Sequence, residues 1–192
     1  MARWAPGSRD RLQQAAVELF AEQGYEQTTV AQIAERAGVT ERTFFRTFAD
    51  KREVLFAGSE QLEALIVDAV AGSPATDPVD VAADGLDAAA QFFPEDRRPY
   101  VQARQELVVA NPALAEREQL KMVTLASSVA RALRERGVGE PAARLLAHSA
   151  ITVFQVAFET WVRAGEDRPL QQLQRETFTA LRETLGARTA AR

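Results

Sequence analysis

Two arginines, Arg42 and Arg46, stand four residues apart in a short segment near the N-terminus. On a helix that turns about 100° per residue they point the same way, nearly opposite to Phe44 and Phe48, which share an apolar face. Two such cations repel each other on an isolated helix, whereas phosphates and guanine edges would bind both through charge-assisted hydrogen bonds. The spacing favours a polyanionic partner, although arginines that merely face solvent in a helical bundle would show the same pattern.

We find no spacing that indicates catalysis or metal binding. The chain has no cysteine and one histidine, so it lacks the ligands of a zinc site. It also has no Gly-rich phosphate loop, no Ser-His-Asp set supported by spacing and no clustered carboxylate pair. We therefore expect no catalytic residue, no metal, no cofactor and no enzymatic activity. The histidine, His148, is expected to be buried and hydrogen-bonded or to make an interface contact.

The arginines belong to the second of two short helices predicted over residues 28–48. The first helix starts at a capping box, Thr29 with Gln32, and ends at Gly38, where a left-handed residue can stop a helix. The second starts at Thr40, a favoured N-cap. This is the layout of a helix-turn-helix, whose second helix enters the major groove of DNA.

Residues 8–56 resemble the DNA-binding domain of the TetR family of bacterial transcriptional regulators. The resemblance rests on a first helix ending in Gly24-Tyr25, a Thr-Thr-Val entry, the turn Ile-Ala-Glu-Arg-Ala-Gly-Val, a Thr-Phe-Phe-x-x-Phe recognition helix and Asp-Lys-x-x-x-Leu at the start of helix four. It implies DNA contacts from Thr28, Thr29, Thr40, Glu41, Arg42, Thr43, Phe45, Arg46, Thr47 and Lys51.

The resemblance also implies roles for these residues. The threonines at 28 or 29 and at 40 cap helices whose N-termini would receive phosphates, and Lys51 adds a phosphate contact. Arg42, with Glu41 and Thr43 beside it, reads base edges. Many family members carry tyrosine at position 45 and histidine or tyrosine at 46 and 47, whereas this chain has Phe45, Arg46 and Thr47. We expect Phe45 to pack against the protein and phosphate contact to shift towards the charge of Arg46.

Charge limits the way in which DNA can be bound. Residues 1–56 carry eight basic and eight acidic side chains, and the whole chain has a net charge of −4. Bulk electrostatic coating of DNA is therefore not expected, and a few placed cations would bind a specific operator.

The predicted fold is all-α with about nine helices and no strand. Residues 1–49 form the three-helix DNA-binding domain, and residues 50–192 form a ligand-binding and dimerisation domain. Asp50 and Glu53 form a capping box that opens a long helix four, and Asp77 caps helix five with Pro78 in its first turn. Helix four, from Asp50 to Ala71, would link the two domains as a lever.

Helix eight, at residues 141–164, is apolar nearly all round and is expected to be buried on most sides. Helix nine carries a row of leucines and Phe178 on one face. Pairing both helices with those of a second copy predicts a homodimer through helices eight and nine, and the resemblance implies the same. Two reading heads then predict a palindromic double-stranded DNA operator.

A cavity for a small, largely hydrophobic effector is expected between helices four and eight, although the same residues could simply fill a core. Its candidate lining residues are Phe92, Phe93, Tyr100, Arg104, Leu107, Leu120, Val123, Thr124, Ser127, Phe154 and Phe158. Arg104 would meet an anionic head group or form a surface salt bridge. The run from Arg104 to Trp161 is similar to an actinobacterial TetR subgroup, some members of which respond to acyl-CoA-like molecules.

These features predict a cytoplasmic homodimeric repressor that an unidentified effector releases from DNA. No signal peptide is visible and no apolar run is long enough to span a membrane. Two alternatives stay open: an activator or ligand-independent regulator, and a helical binding protein whose head no longer recognises DNA.

Overall fold

The computed structural model describes residues 7–186, and all the regular secondary structure in this range is helical. It has nine α-helices, as predicted: α1 Ser8–Gln23, α2 Val30–Arg36, α3 Glu41–Thr47, α4 Ser59–Gly72, α5 Pro78–Gln91, α6 Arg98–Ala110, α7 Pro112–Glu135, α8 Ala142–Trp161 and α9 Leu170–Gly186. Two 3₁₀ helices, Arg52–Phe56 and Glu95–Arg97, precede α4 and α6.

The described residues group into two compact units. Residues 7–59 and 103–118 form the first, which we call the head unit, and residues 60–102 and 119–186 form the second, which we call the core unit. Helices α6 and α7 each contribute residues to both units. The domain boundary between residues 49 and 50 remains a prediction.

The turn between α2 and α3 has the local chemistry that the residue types predict. Thr29 and Gln32 form a complete capping box at the start of α2. Gly38 has φ 66°, its N–H donates to the Glu35 carbonyl, and the Val39 N–H donates to the Ala34 carbonyl, which together make a Schellman motif. The N–H of Thr43 donates to Thr40 Oγ1 at 3.2 Å, which caps α3. Both helix ends are satisfied locally, so the angle between the two helices is well defined.

The prediction of a long helix four beginning at Asp50 is wrong. Asp50 Oδ1 does accept from the backbone N–H groups of Arg52 and Glu53, at 2.8 and 3.1 Å, but the helix it caps is the short 3₁₀ helix Arg52–Phe56. The last three residues of that helix, 54–56, are all buried, and Gly58 then takes φ 104° before α4 begins at Ser59. The left-handed backbone at Gly58 interrupts the helical path, so the residues before it form a separate short helix.

The core unit is built around α8. Asp77 accepts from the N–H of Val79 at 2.7 Å and Pro78 occupies the first turn of α5, as predicted. Helix α8 buries one broad face, which includes Phe154, Ala157 and Trp161, in a cluster with α4, α5, α7 and α9. Along its other face lies a stripe of exposed side chains: Leu145, His148, Thr152 and Val156. Within a single chain α8 is therefore covered on one side, and its burial on most sides stays a prediction that requires a second copy.

The apolar face of α9 packs against other helices of the same chain. Leu170, Leu173 and Phe178 are buried in the same cluster, which leaves a mainly polar outer face on this helix. None of the described helices is long and apolar enough to cross a membrane.

Candidate nucleic-acid interface and effector site

Helix α3 presents two cations on its free surface. Phe44 is fully buried and Phe48 is 5% exposed, so they anchor the helix as its spacing predicts. Arg42 and Arg46 are both exposed, and neither forms an ion pair within the described residues. An α-helix with two unpaired guanidinium groups on its outer face can donate to phosphate oxygens or to guanine N7 and O6.

The polar neighbours of these arginines lie on the same small helix. Glu41 and Thr40 are exposed at its start, and Thr43 and Thr47 are half-buried along one side. Thr47 Oγ1 donates to the Thr43 carbonyl at 2.9 Å, and Thr43 Oγ1 lies 3.1 Å from Thr40 Oγ1. Thr29 is also exposed at the start of α2. These candidate DNA contacts therefore lie on α2 and α3 together with the arginines.

Thr28 differs from the other candidates because it is only 1% exposed. Its hydroxyl donates towards two carbonyl oxygens, that of Gly24 at 2.8 Å and that of Leu19 at 3.3 Å. The same hydroxyl accepts from Gln23 Nε2 at 3.2 Å. The side chain thus joins the end of α1 to the start of α2. Sequence reasoning did not detect this internal role, because it depends on burial.

The Lys51 side chain contacts the loop between α1 and α2 that contains Thr28. Its ammonium donates to the carbonyl oxygens of Tyr25 and Thr28, at 2.7 and 2.9 Å, and lies 4.2 Å from the centre of the Tyr25 ring. Burial raises the pKa of the Tyr25 hydroxyl above its ordinary value. Two of the three ammonium protons are therefore used within the head unit, and one remains for a phosphate.

The expectation that Phe45 packs against the protein is wrong. Its side chain is 55% exposed, and its ring makes an edge contact with the Phe44 ring at 5.5 Å between centroids. The buried positions on α3 are taken by Phe44 and Phe48, and at about 100° per residue Phe45 lies on the flank of that buried face. An aromatic ring is thus placed on the outer surface of α3, between the two arginines in sequence.

Asp50 helps to set the geometry that follows α3. Burial raises the pKa of its carboxyl, but hydrogen bonds from the Arg52 guanidinium and from the backbone N–H groups of Glu53 and Arg52 outweigh it, so the pKa is lowered overall. The carboxylate therefore stays ionised and continues to cap the 3₁₀ helix at neutral pH.

Arg104 and Leu107, two candidate effector contacts, belong to the head unit. Arg104 donates to the Leu55 carbonyl and to Glu118 Oε1, both at 2.8 Å, and its guanidinium lies 5.0 Å from the Phe56 ring centre. Of the two alternatives expected for Arg104, the structure contains the salt bridge, and this salt bridge is partly buried rather than on the surface.

A second link joins the same elements of the head unit. Arg117 pairs with Glu53 at 2.6 Å, so the corner between α6 and α7 is bound to the 3₁₀ helix Arg52–Phe56 through two arginines. Sequence reasoning missed this pair, because the two residues are far apart in the chain.

The aromatic candidates do come together in the core unit. The Phe93 ring lies 5.1 Å from Phe158, 6.0 Å from Phe154 and 6.1 Å from Trp161, and Phe92 packs edge-on against Phe93 at 5.1 Å. These rings form what we call the aromatic cluster. Such a cluster can line a cavity for an apolar ligand or can fill the core, which are the two alternatives that the sequence left open.

A polar network that sequence reasoning missed lies beside the aromatic cluster. Arg98 pairs with Glu95 at 2.6 Å, donates to the Glu166 and Arg168 carbonyls, and lies 4.8 Å from the Trp161 ring centre. Trp161 Nε1 also donates to Glu95 Oε1 at 3.2 Å. The i, i+3 spacing of Glu95 and Arg98 was a usable signal, but their contact with the loop between α8 and α9 was not visible in the sequence.

In that loop, hydrogen bonds from the Arg168 side chain and backbone lower the pKa of Glu166 to about 2. The carboxylate of Glu166 is therefore ionised at every physiological pH. Its ion pair with Arg168 thus persists in the loop whose carbonyl groups accept hydrogen bonds from Arg98.

The remaining effector candidates do not join the aromatic cluster. Leu120, Val123, Thr124 and Ser127 are exposed along the outer face of α7. Tyr100 is half-buried, with the Arg97 guanidinium 5.7 Å from its ring centre. His148 is exposed, so the expectation of a buried histidine is wrong, and an interface contact of this residue stays a prediction. Among residues 7–186 there is no group of three side chains suited to hold a metal ion.

Two family models match separate stretches of the chain. The family model described as bacterial regulatory proteins of the tetR family matches residues 12–57, and the model described as the MftR C-terminal domain matches residues 76–186. The HTH-type transcriptional regulator TcmR of Streptomyces glaucescens is 47% identical over 68 residues, which are 35% of this chain and 30% of TcmR. That match covers less than a third of the length of the curated relative.

Solved structures share the fold over most of the chain. The TetR-family regulator PfmR of Thermus thermophilus has a TM-score of 0.52 at 21% identity, covering 90% of this chain and 97% of PfmR. The repressor FadR of Thermus thermophilus, solved with lauroyl-CoA, has a TM-score of 0.52 at 24% identity and covers 91% of this chain and 93% of its own.

Proposed function

The chain belongs to the TetR family of bacterial transcriptional regulators, and on that premise we propose that it is a homodimeric repressor released from a palindromic operator by a small, largely hydrophobic effector. The observation that carries the proposal is the outer surface of α3, where Arg42 and Arg46 are exposed and have no ion-pair partner among residues 7–186. Bound to DNA, Arg42 would read a guanine and Arg46 would contact phosphate.

The second copy is supported by the charge of the head and by α8. Because residues 1–56 carry no net charge, one head has little non-specific attraction for DNA and gains from a second, linked head. The exposed stripe on α8 includes Leu145 at 66% and Val156 at 47%, apolar side chains that a partner would cover. We propose that α8, flanked by α9, meets the same helices of the partner about a two-fold axis.

The aromatic cluster supports an apolar effector. An effector releases DNA only if it binds more tightly to the conformation that cannot bind the operator. Helices α6 and α7 contribute residues to both units, and their corner is bonded to the 3₁₀ helix of the head. We propose this corner, together with α4, as the route from effector to head. Lauroyl-CoA, which Thermus FadR binds, is the first probe of the effector class.

The test selects operators from a random duplex pool about three helical turns long, which is enough for two half-sites. We expect enrichment of a palindrome, with affinity that falls as salt rises through a few phosphate contacts. Failure to enrich any sequence would refute operator binding. Lauroyl-CoA should lower the affinity for the selected duplex, and an effect equal to that of coenzyme A alone would count against an apolar effector.

A further inference from the structure

Phe45 is the feature that the proposed contacts leave unexplained. Among the described residues 7–59, it is the one large apolar side chain that remains exposed, at 55%. It follows Arg42 by three residues on α3 and therefore lies within one turn of the proposed base-reading side chain. Its ring therefore offers one apolar contact on a surface that otherwise carries charged and hydroxyl groups.

The surroundings of Phe45 indicate which part of DNA it faces. Glu41 lies four residues earlier, on the same side of the helix as Phe45, and is also exposed. A carboxylate is repelled by phosphates but can accept a hydrogen bond from the amino group of cytosine. The side of α3 that carries Glu41 and Phe45 is therefore suited to contact base edges. The opposite side of the helix and Arg46 are better suited to contact the sugar-phosphate backbone of DNA.

The apolar group on the edges of bases in the major groove is the 5-methyl group of thymine, since the other edge positions are donors or acceptors. We infer that Phe45 reads a thymine 5-methyl group in each half-site, next to the guanine read by Arg42. This inference rests on the operator binding proposed above and adds a specific base to it. Tyrosine at this position would bring a hydroxyl that phosphate could accept from, and phenylalanine removes that option.

The experiment removes the methyl group from the DNA rather than from the protein. Each thymine of the selected half-site is replaced singly by deoxyuridine, which keeps base pairing and lacks only the methyl group. Wild type should lose affinity roughly fourfold for each half-site at one thymine position, the loss expected for one methyl group leaving an apolar contact. The variant Phe45→Ala should bind the thymine duplex more weakly and show no further loss with deoxyuridine at that position.

Two controls make the result specific. Phe45→Leu, which keeps an apolar side chain, should retain part of the sensitivity to deoxyuridine, and Arg46→Ala should retain all of it. Thermal unfolding of each variant checks the fold, which an exposed side chain should affect little.

Four results would overturn the inference: indifference of wild type to deoxyuridine at every position, unchanged sensitivity in Phe45→Ala, a half-site without thymine, or weakening by Phe45→Ala that is equal for all sequences. The last result would indicate a contact with the sugar-phosphate backbone. If wild type selected no sequence at all, operator binding would fail and the inference with it.

Discussion

Two adjacent threonines in the head unit have different tasks. Thr29 is exposed and caps α2, so its hydroxyl acts at the helix surface. Thr28 is buried, and its hydroxyl contacts the carbonyl oxygens of Gly24 and Leu19 and the amide of Gln23. Losing a buried hydroxyl with several hydrogen bonds costs at least as much free energy as losing an exposed cap. Thr28 therefore stabilises the loop that positions α2, whereas its contact with DNA stays a prediction.

We predict that Thr28→Val lowers the free energy of unfolding of the head by about 1–3 kcal/mol, because it removes a buried hydroxyl that is hydrogen-bonded to Gly24, Leu19 and Gln23. The neighbouring change Thr29→Ala should cost about 0.5–2 kcal/mol, as for the loss of an N-cap. Urea denaturation of each variant measures both values. A smaller effect for Thr28→Val than for Thr29→Ala would contradict the internal role.

The two exposed arginines should respond differently to removal. Arg42→Ala should cost about 1–3 kcal/mol per half-site and relax the preference at one guanine position. Arg46→Ala should weaken binding about equally for all sequences and reduce the salt dependence, since it removes a phosphate contact. Titration of wild type and both variants against the operator and a single-base variant of it, at several salt concentrations, separates these outcomes. Unchanged preference in Arg42→Ala would remove that residue from base reading.

Residue roles were predictable from sequence where they depend on near neighbours in the chain. The capping box at Thr29 and the cap at Thr40 involve partners three residues away, and both were predicted correctly. The burial of Thr28 and the exposure of Phe45 depend on how separate helices pack. Residue type alone suggested the opposite in each case, because a threonine is usually exposed and a phenylalanine usually buried.

At the scale of elements, glycines at helix ends were informative and apolar periodicity was less so. Gly38 ends α2 with the left-handed conformation that its position predicted. The apolar residues after Asp50 were consistent with the start of an α-helix, yet they form a 3₁₀ helix that Gly58 separates from α4. A short apolar run does not distinguish these two helices, since the difference lies in which neighbours cover it.

We predict that Gly38→Ala destabilises the head by about 1–2 kcal/mol, the cost of a left-handed backbone in a residue with a Cβ atom. An added Cβ there has nothing within 4 Å, so the cost is conformational and not steric. Gly72 also has nothing within 4 Å but keeps an ordinary φ, so Gly72→Ala should be neutral or stabilise by up to about 1 kcal/mol. Thermal unfolding of the pair tests this, and equal effects would contradict it.

On the scale of the whole molecule, the all-α fold and the helix count were predictable, since breaks such as Asp77-Pro78 are local. The grouping into units was less accessible. Residues 103–118 belong with the head, held there by Arg104 and Arg117, whose partners are far away in sequence. A pattern of single residues cannot identify such pairs, so the sequence left both an anionic head group and a salt bridge open for Arg104 and did not name Glu118 as its partner.

The proposed dimer can be tested with two side chains of similar exposure, one on α8 and one on α7. Val156→Glu on α8 should shift the protein to monomers, because a carboxylate would have to be buried between copies. Leu120→Glu on α7 is the matched control, since Leu120 is 53% exposed and Val156 47%. Sedimentation velocity and operator binding at one protein concentration measure both variants. A monomer produced by Leu120→Glu but not by Val156→Glu would move the interface to α7.

The exposed stripe on α8 has a consequence for how repression would depend on the amount of this protein in the cell. It places polar His148 and Thr152 between apolar Leu145 and Val156, and the buried core around α8 lies within one chain. The copies of the proposed dimer would therefore separate without exposing that core, and dimerisation would depend on how much protein is present. Below the dissociation constant of such a dimer, operator occupancy would rise with the square of protomer concentration. Repression would then set in over a narrow range of expression level, and the amount synthesised would act as a second input beside the effector.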